Sequence, residues 1–513
     1  MKKSIILIIL FIYYNAYAQV PTIQWQKSFG GSNNENATTV RQTPDGGYIV
    51  SGYTLSNNGD VFGNHGSVDY WILKLDTALN VQWKKCFGGS NADQEFDMQL
   101  TVDGGYIVAG ESASSDGDIT GNIGLSDFWI VKLNDTGSIQ WQKSFGGSNG
   151  EQAHSIKQTI DHGYIIAGFT SSNDSNVAGN HGGHDYWILK IDSLGNMQWQ
   201  KCLGGSGDED AWSITQAFDK GYIVAGMTNS NDGDVTFNHG VWDYWVIKLD
   251  SLGQLQWQKS YGGSGPEIPY SVVQADDGGY VIAGFSASTN GDVTGNHGGY
   301  DYWVVKTDSA GNLIWQKSFG GTDNEVIYSI NKTSDGGYIC GGASLSNNGD
   351  VIGSHGNGDV WLVKINDIGV LQWSKALGGT GADMANCVIQ TMDGGYAVAG
   401  VSTSPDGDVT INNGGNDFWI IKLYDITTNI EHTKPKSSKL DIYPNPTTNK
   451  VNINCEKDFI GEKYYVSNVL GQVIMTGIII NEFSEIDISN LTSGSYFLSI
   501  GDSFRQKTLI IKQ

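Results

Sequence analysis

"DYWILKLDTALNVQWKKCFGGS", residues 69–90, returns after 58 residues as "DFWIVKLNDTGSIQWQKSFGGS", and after 58 more as "DYWILKIDSLGNMQWQKCLGGS". Followed along the chain, one tryptophan series falls at 25, 83, 141, 199, 257, 315 and 373. The other falls at 71, 129, 187, 245, 303, 361 and 419. A fixed step without insertions marks a repeat array.

Around the quoted stretch each unit reads as four short strands. "ATTVRQT" leads through the turn "PDGG" to "YIVSGYTLS", and a long Gly/Asp loop leads to "YWILKLD", the turn "TALN" and "VQWKKCFGG". The strands are rich in β-branched and aromatic residues, and the turns carry the Asp-Gly pairs that supply positive φ. Four antiparallel strands per unit, repeated around an axis, describe a propeller blade. The repeat begins with a lone fourth strand, "TIQWQKSFGG" (22–31), and stops after a third strand, "DFWIIKLYD" (417–425). Seven complete blades follow only if the first strand joins the last sheet, which also removes the open sheet edges. The fold class read from the sequence is therefore all-β: a seven-bladed propeller. The periodic tryptophans suit the gaps between twisted sheets.

The hairpin "KxDxxGxxxW", clearest from Lys190 through Asp192 and Gly195 to Trp199, resembles the blades of quinoprotein-type propellers. The resemblance supports the fold. No residue here matches that family's quinone site, so no dehydrogenase activity is carried over.

The ends of the chain read differently. "MKKSIILIILFIYYNAYAQ" is a secretory signal by its lysines, apolar run and Ala16-Tyr17-Ala18, with cleavage expected before Gln19. The expected divisions are 1–18 signal, 19–426 propeller, 427–438 polar linker and 439–513 a small β-sandwich. That last segment resembles the C-terminal sorting domain of the Bacteroidetes type IX secretion system. The likeness rests on Tyr443, Pro444, Asn445 and Pro446, on Gly471 and Gln472, on Leu491, Gly494 and Tyr496, and on Lys512. It implies the type IX machinery as a partner, and a product that is released or attached at the outer-membrane surface. No stretch after the leader is long and apolar enough to be a spanning helix.

Lys+Arg 30 against Asp+Glu 54 leaves a formal charge of −24, which repels nucleic acid and anionic lipid. Cys86 and Cys202 stand where other copies mostly carry Ser, Cys340 replaces a strand Val or Ile, and Cys387 and Cys455 have no obvious mate, so the five cysteines do not form a disulfide framework. The expected state is a monomer whose partners are a glycan or a surface protein.

The long loops and interblade connections share one face, the default binding face. Three features recur there. An acid follows each "FGGS": Glu35, Asp93, Glu151, Glu209, Glu267, Glu325 and Asp383. The long loop carries Asp60, Asp118, Asp234, Asp292, Asp350 and Asp408, with Asn176 in the third copy. It also carries His65, His181, His239, His297 and His355, replaced by Ile123 and Asn413. Third, Asp69, Asp127, Asp185, Asp243, Asp301, Asp359 and Asp417 precede the third strand. The loop aspartates are candidate calcium ligands, against the competing reading that they brace the loop backbone. Three residues beyond each "FGGS" acid stand Thr38, Phe96, His154, Trp212, Tyr270, Tyr328 and Asn386. Acids beside varied aromatics at a channel mouth form a candidate sugar site, against interblade packing.

No H-E-x-x-H, G-x-S-x-G or Cys/His constellation is present, and sevenfold repetition offers no privileged acid pair. The reading is a non-enzymatic binding propeller. The alternatives are a carbohydrate hydrolase built on symmetry-breaking residues (Glu95, Glu111, His154 or His184) and a purely structural surface protein.

Overall fold

The computed structural model describes residues 20–424 and, beyond them, 441–443, 445, 447–454, 459–468, 473–481, 483–500 and 506–512. The expected leader and linker, together with Pro444, Pro446, Gly471 and Gln472, lie outside the described residues. The chain divides into two compact units, Met1–Thr427 and Thr428–Gln513.

In the first unit, strand β1 is Thr22–Phe29. Blade 1 follows as β2 (Glu35–Gln42), β3 (Tyr48–Thr54), β4 (Asp69–Leu75) and β5 (Val81–Phe87). These four pair in chain order, and the next five repeats do the same. The seventh sheet contains Asp383–Gln390, Tyr396–Ser402 and Asp417–Tyr424, and its fourth strand is β1. β1 runs antiparallel to Asp417–Tyr424, with Thr22 opposite Tyr424, Ser28 opposite Trp419 and Phe29 opposite Phe418. Seven four-stranded sheets result, with the two ends of the repeat zipped into one blade.

The core lies between the blades. The third strand of each of the first six blades is buried along its whole length, and that of the seventh up to Leu423, so both of its faces meet apolar neighbours. Trp71, Trp129, Trp187, Trp245, Trp303, Trp361 and Trp419 are at most 1% exposed. Each wedge joins two successive sheets. In the closing one, Phe29, Val40, Trp71 and Leu73 pack with Ala397, Phe418 and Ile420. Tyr70 shows how a wedge is locked: its ring meets Trp129 at 4.6 Å, and its hydroxyl donates to the Trp129 carbonyl at 3.1 Å. Tyr186, Tyr244 and Tyr302 repeat the bond to the following blade. The tryptophan series of the fourth strands, which includes Trp83, sits above the neighbouring hairpin. A Cβ on Gly137 would lie 2.8 Å from the Trp83 ring, and the φ of +71° there also favours glycine.

The lysine of each third strand has an equally local cause. Lys74, Lys132, Lys190, Lys248, Lys306, Lys364 and Lys422 are buried. Their ammonium groups reach the aspartate of the Asp-x-Gly turn between the first two strands: Lys74–Asp45 at 2.9 Å, Lys190–Asp161 at 3.0 Å, Lys248–Asp219 at 2.8 Å. The "KxDxxG" hairpin is therefore held by an ion pair and by its own aspartate, since Asp76 accepts from the Ala78 and Asn80 amides at 2.8 Å.

The "QWQK" glutamine bonds the buried indole of the same sheet. Gln142 accepts from Trp129 Nε1 at 3.0 Å, Gln258 from Trp245 at 2.9 Å and Gln316 from Trp303 at 2.8 Å. Where Lys84 or Ser374 replaces that glutamine, Trp71 Nε1 and Trp361 Nε1 are buried without a partner. Lys84→Gln and Ser374→Gln are expected to stabilise the propeller by about 1 kcal/mol each, the worth of satisfying a buried donor. Chemical denaturation of both variants checks this, and an unchanged or lowered midpoint contradicts it.

In the second unit, Asp441–Tyr443, Lys450–Asn454 and Phe483–Asp487 form one sheet. Val473–Ile478, Lys463–Asn468, Gly494–Ile500 and Gln506–Lys512 form the other. Val451, Ile453, Val466, Ile486, Leu498 and Ile510 fill the core. Lys512 is 8% exposed, and its ammonium donates to the Ile488, Ser489 and Leu491 carbonyls at 2.8, 2.7 and 2.5 Å. Tyr496 donates to Thr492 O at 2.7 Å, and Asn445 accepts from the Ile511 amide at 2.8 Å. Tyr443 is exposed.

Candidate ligand-binding site

The long-loop end of each blade is built around its acid. In blade 1 the Glu35 carboxylate accepts from the Gly31 amide at 2.7 Å and from the Thr54 hydroxyl at 2.8 Å. The glycine-amide bond recurs at Asp93, Glu151, Glu209, Glu267, Glu325 and Asp383, and the hydroxyl bond at all of these but Asp383, which accepts from Ser404 at 2.6 Å instead. All seven are at most 2% exposed. They stand beneath the loops and not at the channel mouth, each turned back to accept from the amide of a tight "GG" turn. The sugar-facing role expected for this ring does not fit that placement.

The third-strand aspartates sit beside them. A Cβ on Gly30 would fall 2.1 Å from Asp417 Oδ1 and 2.5 Å from Glu35 Oε2, which explains why a glycine stands there. Seven carboxylate pairs of this kind ring the propeller, one per blade junction. In four, a loop histidine donates to the aspartate, His65 at 2.7 Å, His181 at 2.6 Å, His239 at 2.5 Å and His297 at 2.6 Å, and in a fifth the His355 ring stands 3.3 Å from Asp359. The other aspartate oxygen is buried without a partner in every blade. Burial raises these carboxyls, and where Ile123 and Asn413 replace the histidine, Asp127 and Asp417 are pushed up to about 6.

The candidate calcium ligands serve the loops. Asp60 accepts from the Gly30 amide at 3.4 Å and returns its own amide to the Gly30 carbonyl at 2.9 Å. Asp118, Asp234, Asp292, Asp350 and Asp408 repeat the contact at 3.2–3.3 Å, and Asn176 does so at 3.3 Å. Among the described residues no three His, Cys, Asp or Glu side chains gather as a metal-ligand set.

The varied ring positions behave differently, and the backbone is the reason. In β2, Ala37 opposes Gly52 and Thr39 opposes Ser51, so Thr38 has no partner. This is a β-bulge, and the first strand of every blade carries one at the same place. A bulge re-aims one side chain out of the alternation. It also brings the two strands so close that a Cβ at Gly52, Gly110, Gly168, Gly226, Gly284, Gly342 or Gly400 would lie 1.8–2.0 Å from a carbonyl oxygen. The seven re-aimed residues, Thr38, Phe96, His154, Trp212, Tyr270, Tyr328 and Asn386, all line one central cavity of about 270 Å³.

Five of them form a continuous aromatic wall across blades 2 to 6. Phe96 meets His154 edge-on at 5.1 Å, and His154 stacks on Trp212 at 4.0 Å. Trp212 meets Tyr270 at 5.0 Å, and Tyr270 meets Tyr328 at 5.1 Å. His154 Nδ1 lies 3.0 Å from the Ala211 carbonyl, and burial lowers the ring to about 4, so it is neutral at pH 7. Thr38 and Asn386 close the ring with polar groups.

Below the wall the next position is small and hydrogen-bonding, and it stitches adjacent blades. Ser155 accepts from the Ile214 amide at 3.4 Å, Ser213 from Val272 at 3.2 Å and Ser329 from Val388 at 3.3 Å. Blade 2 places Asp97 there, flanked by Arg41 of blade 1 at 3.3 Å and Lys157 of blade 3 at 2.6 Å. Glu95, where other blades carry Ala, Pro or Ile, is fully buried. It accepts from Thr38 and, at 2.8 Å, from Ser51, and desolvation pushes it up to about 8. Glu111 accepts from Gln152 at 2.6 Å, and His184 pairs with Asp210 at 3.1 Å. Neither Glu95, Glu111 nor His184 lines the cavity, whose one acid is Asp97. The charged trio was overlooked in the sequence, although three charges at positions that elsewhere hold only uncharged residues were visible there.

Residues 441–512 match the model of the secretion system C-terminal sorting domain family. The second unit is a type IX sorting domain. The protein is thus one exported to the cell surface or beyond, and no helix of the described residues is long and apolar enough to cross a membrane. Over 240 residues the chain is 26% identical to the regulatory protein FlaEY of Caulobacter vibrioides, covering 43% of this chain and 22% of FlaEY. The chain therefore spans about a fifth of that curated relative's length. Among solved structures, PorZ, a surface component of the type IX secretion system of Porphyromonas gingivalis, aligns over 94% of this chain and 74% of its own. Its identity is 10% and its TM-score 0.32. A Bacteroides caccae protein of unknown function aligns over 60% of this chain and 89% of its own, at 12% identity and a TM-score of 0.37. The blade architecture rests on this chain's own strand pairing.

Proposed function

We propose that the propeller is a non-enzymatic glycan-binding module, delivered to the cell exterior by its sorting domain and taking its ligand in the central cavity on the long-loop side. One observation carries this reading. Six residue types occupy the seven ring positions, five of the seven side chains carrying a flat ring, while the backbone device presenting them, a bulge over a glycine, is kept in every blade. A packing role alone would favour the uniformity seen at the buried tryptophan and lysine of every third strand. Ring faces and edges cover the C–H surface of a sugar, and the hydroxyl row below supplies hydrogen bonds. The hydrolase alternative is less well supported, because a hydrolase needs two carboxyls facing the substrate and Asp97 is the cavity's one acid.

The test is a glycan array on the secreted protein, followed by titration of the best ligand. Trp212→Ala and Tyr270→Ala are each expected to weaken binding about tenfold or more while circular dichroism is unchanged. Equal binding by both variants, or no glycan bound at all, defeats the reading. Release of reducing ends would favour the hydrolase instead.

A further inference from the structure

Resting on that reading, we infer that the sugar held in the cavity is acidic, a uronate or a sulfate ester, with its anion seated between Arg41 and Lys157. The protein is poor in cations, and it places two of its 30 basic residues at the wall of this cavity. Seven other lysines are committed to hairpin aspartates. Arg41 and Lys157 hold equivalent positions in blades 1 and 3, where the remaining blades carry Gln99, Thr215, Val273, Asn331 and Ile389. Charge is therefore confined to one side of an otherwise neutral channel.

Asp97 does not cancel this pair as a ligand site. Its carboxylate already accepts from Arg41, Lys157, the Gln99 amide at 2.9 Å, the Ser155 hydroxyl at 3.3 Å and the Ile156 amide at 3.0 Å. It is a saturated bracket that spaces the two cations. Lys157 spends one ammonium hydrogen on Asp97, and among the described residues it makes no other hydrogen bond. Arg41 is oriented by Val40 O at 2.9 Å and Cys387 Sγ at 3.2 Å, which holds the guanidinium in place before any ligand arrives. Glu95, the nearest further carboxyl, is sealed by Thr38 and Ser51 behind the wall. A cationic side facing an aromatic side orients a single residue: the sugar face lies on Trp212 and Tyr270, and its anion points to blades 1 and 3. Arginine matches the planar oxygens of a carboxylate or sulfate bidentately. A cavity of about 270 Å³ lies below the roughly 300–1,000 Å³ of drug-sized pockets, so it admits a chain end or one side residue.

Two matched pairs test the inference by calorimetry on the full secreted chain: trigalacturonate against its carboxyl-reduced galactose form, and a κ-carrageenan tetrasaccharide against its desulfated form. At least one acidic probe is expected to bind about tenfold or more tightly than its neutral partner. Lys157→Gln and Arg41→Gln should remove that difference, Lys157→Arg should keep it, and added salt should shrink it. Lys157 is 28% exposed, so its substitution provides a readout if Arg41→Gln fails to fold. Equal affinity for acidic and neutral partners, unaltered by Lys157→Gln but lost in Trp212→Ala, overturns the acidic preference and leaves the glycan reading standing. Binding of none of the four probes overturns the inference, and the glycan array then decides the broader reading by itself.

Discussion

Deleting residues 20–29 is expected to abolish cooperative unfolding of the propeller. β1 supplies the fourth strand of blade 7, buries Phe29 to 2% exposure and gives Gln26 to the Trp419 indole at 2.9 Å. Its loss opens the wedge of Phe29, Trp71 and Phe418 and leaves Asp417–Tyr424 as a bare edge. Losing one buried phenylalanine alone costs about 3–5 kcal/mol, on the scale of a domain's whole stability. Scanning calorimetry and size exclusion of the truncated chain provide the check. Monomeric protein with an unshifted transition contradicts closure by β1.

Stability is expected to rise as the pH falls from 7 towards 5, and Asp127→Asn with Asp417→Asn should capture that gain at pH 7. Desolvation first, then the neighbouring Glu151 or Glu35, lifts Asp127 and Asp417 from 3.8 to about 6 in the folded chain. A carboxyl that protonates more readily when folded contributes stability below its unfolded value, and that contribution is lost as the pH rises through about 6. At about 1.4 kcal/mol per pKa unit, each site destabilises the neutral-pH fold by roughly 1–3 kcal/mol. An asparagine keeps the acceptor for the Ile123 or Asn413 amide and offers an N–H to the adjacent glutamate. The opposite sign applies at the hairpins. Thr43 and Lys74 hold Asp45 down to about 2 against its desolvation, and that contribution is lost only as the pH falls from 3.8 through 2. The thermal midpoint should therefore peak near pH 4–5. A flat profile, or variants less stable than wild type at pH 7, rejects the buried-pair account.

Much of this was legible in the chain because a ring repeats its packing problem. Equal environments select equal residues, so the 58-residue step of the tryptophans read directly as blades, and the incomplete ends read as a closing strand. The sorting segment was legible through its resemblance to a known family, and the structure adds what its terminal lysine does: Lys512 caps three carbonyls more than twenty residues back in the chain. The acids after "FGGS" were also visible, but their role was not. A carboxylate at a loop end looks the same in a sequence whether it faces solvent or, like Glu35, turns back on a glycine amide.

The sequence by itself determined the number of blades and their strand order, because these follow from periodicity and turn chemistry, and it carried the sorting motif as one contiguous segment. Only the tertiary structure decided which polar residues are presented and which are consumed. That depends on a bulge that re-aims residue 38 and its equivalents into one cavity, and on Arg41, Asp97 and Lys157 meeting across three blades. Those residues stand more than fifty positions apart in the chain, and curvature of the ring alone brings them together.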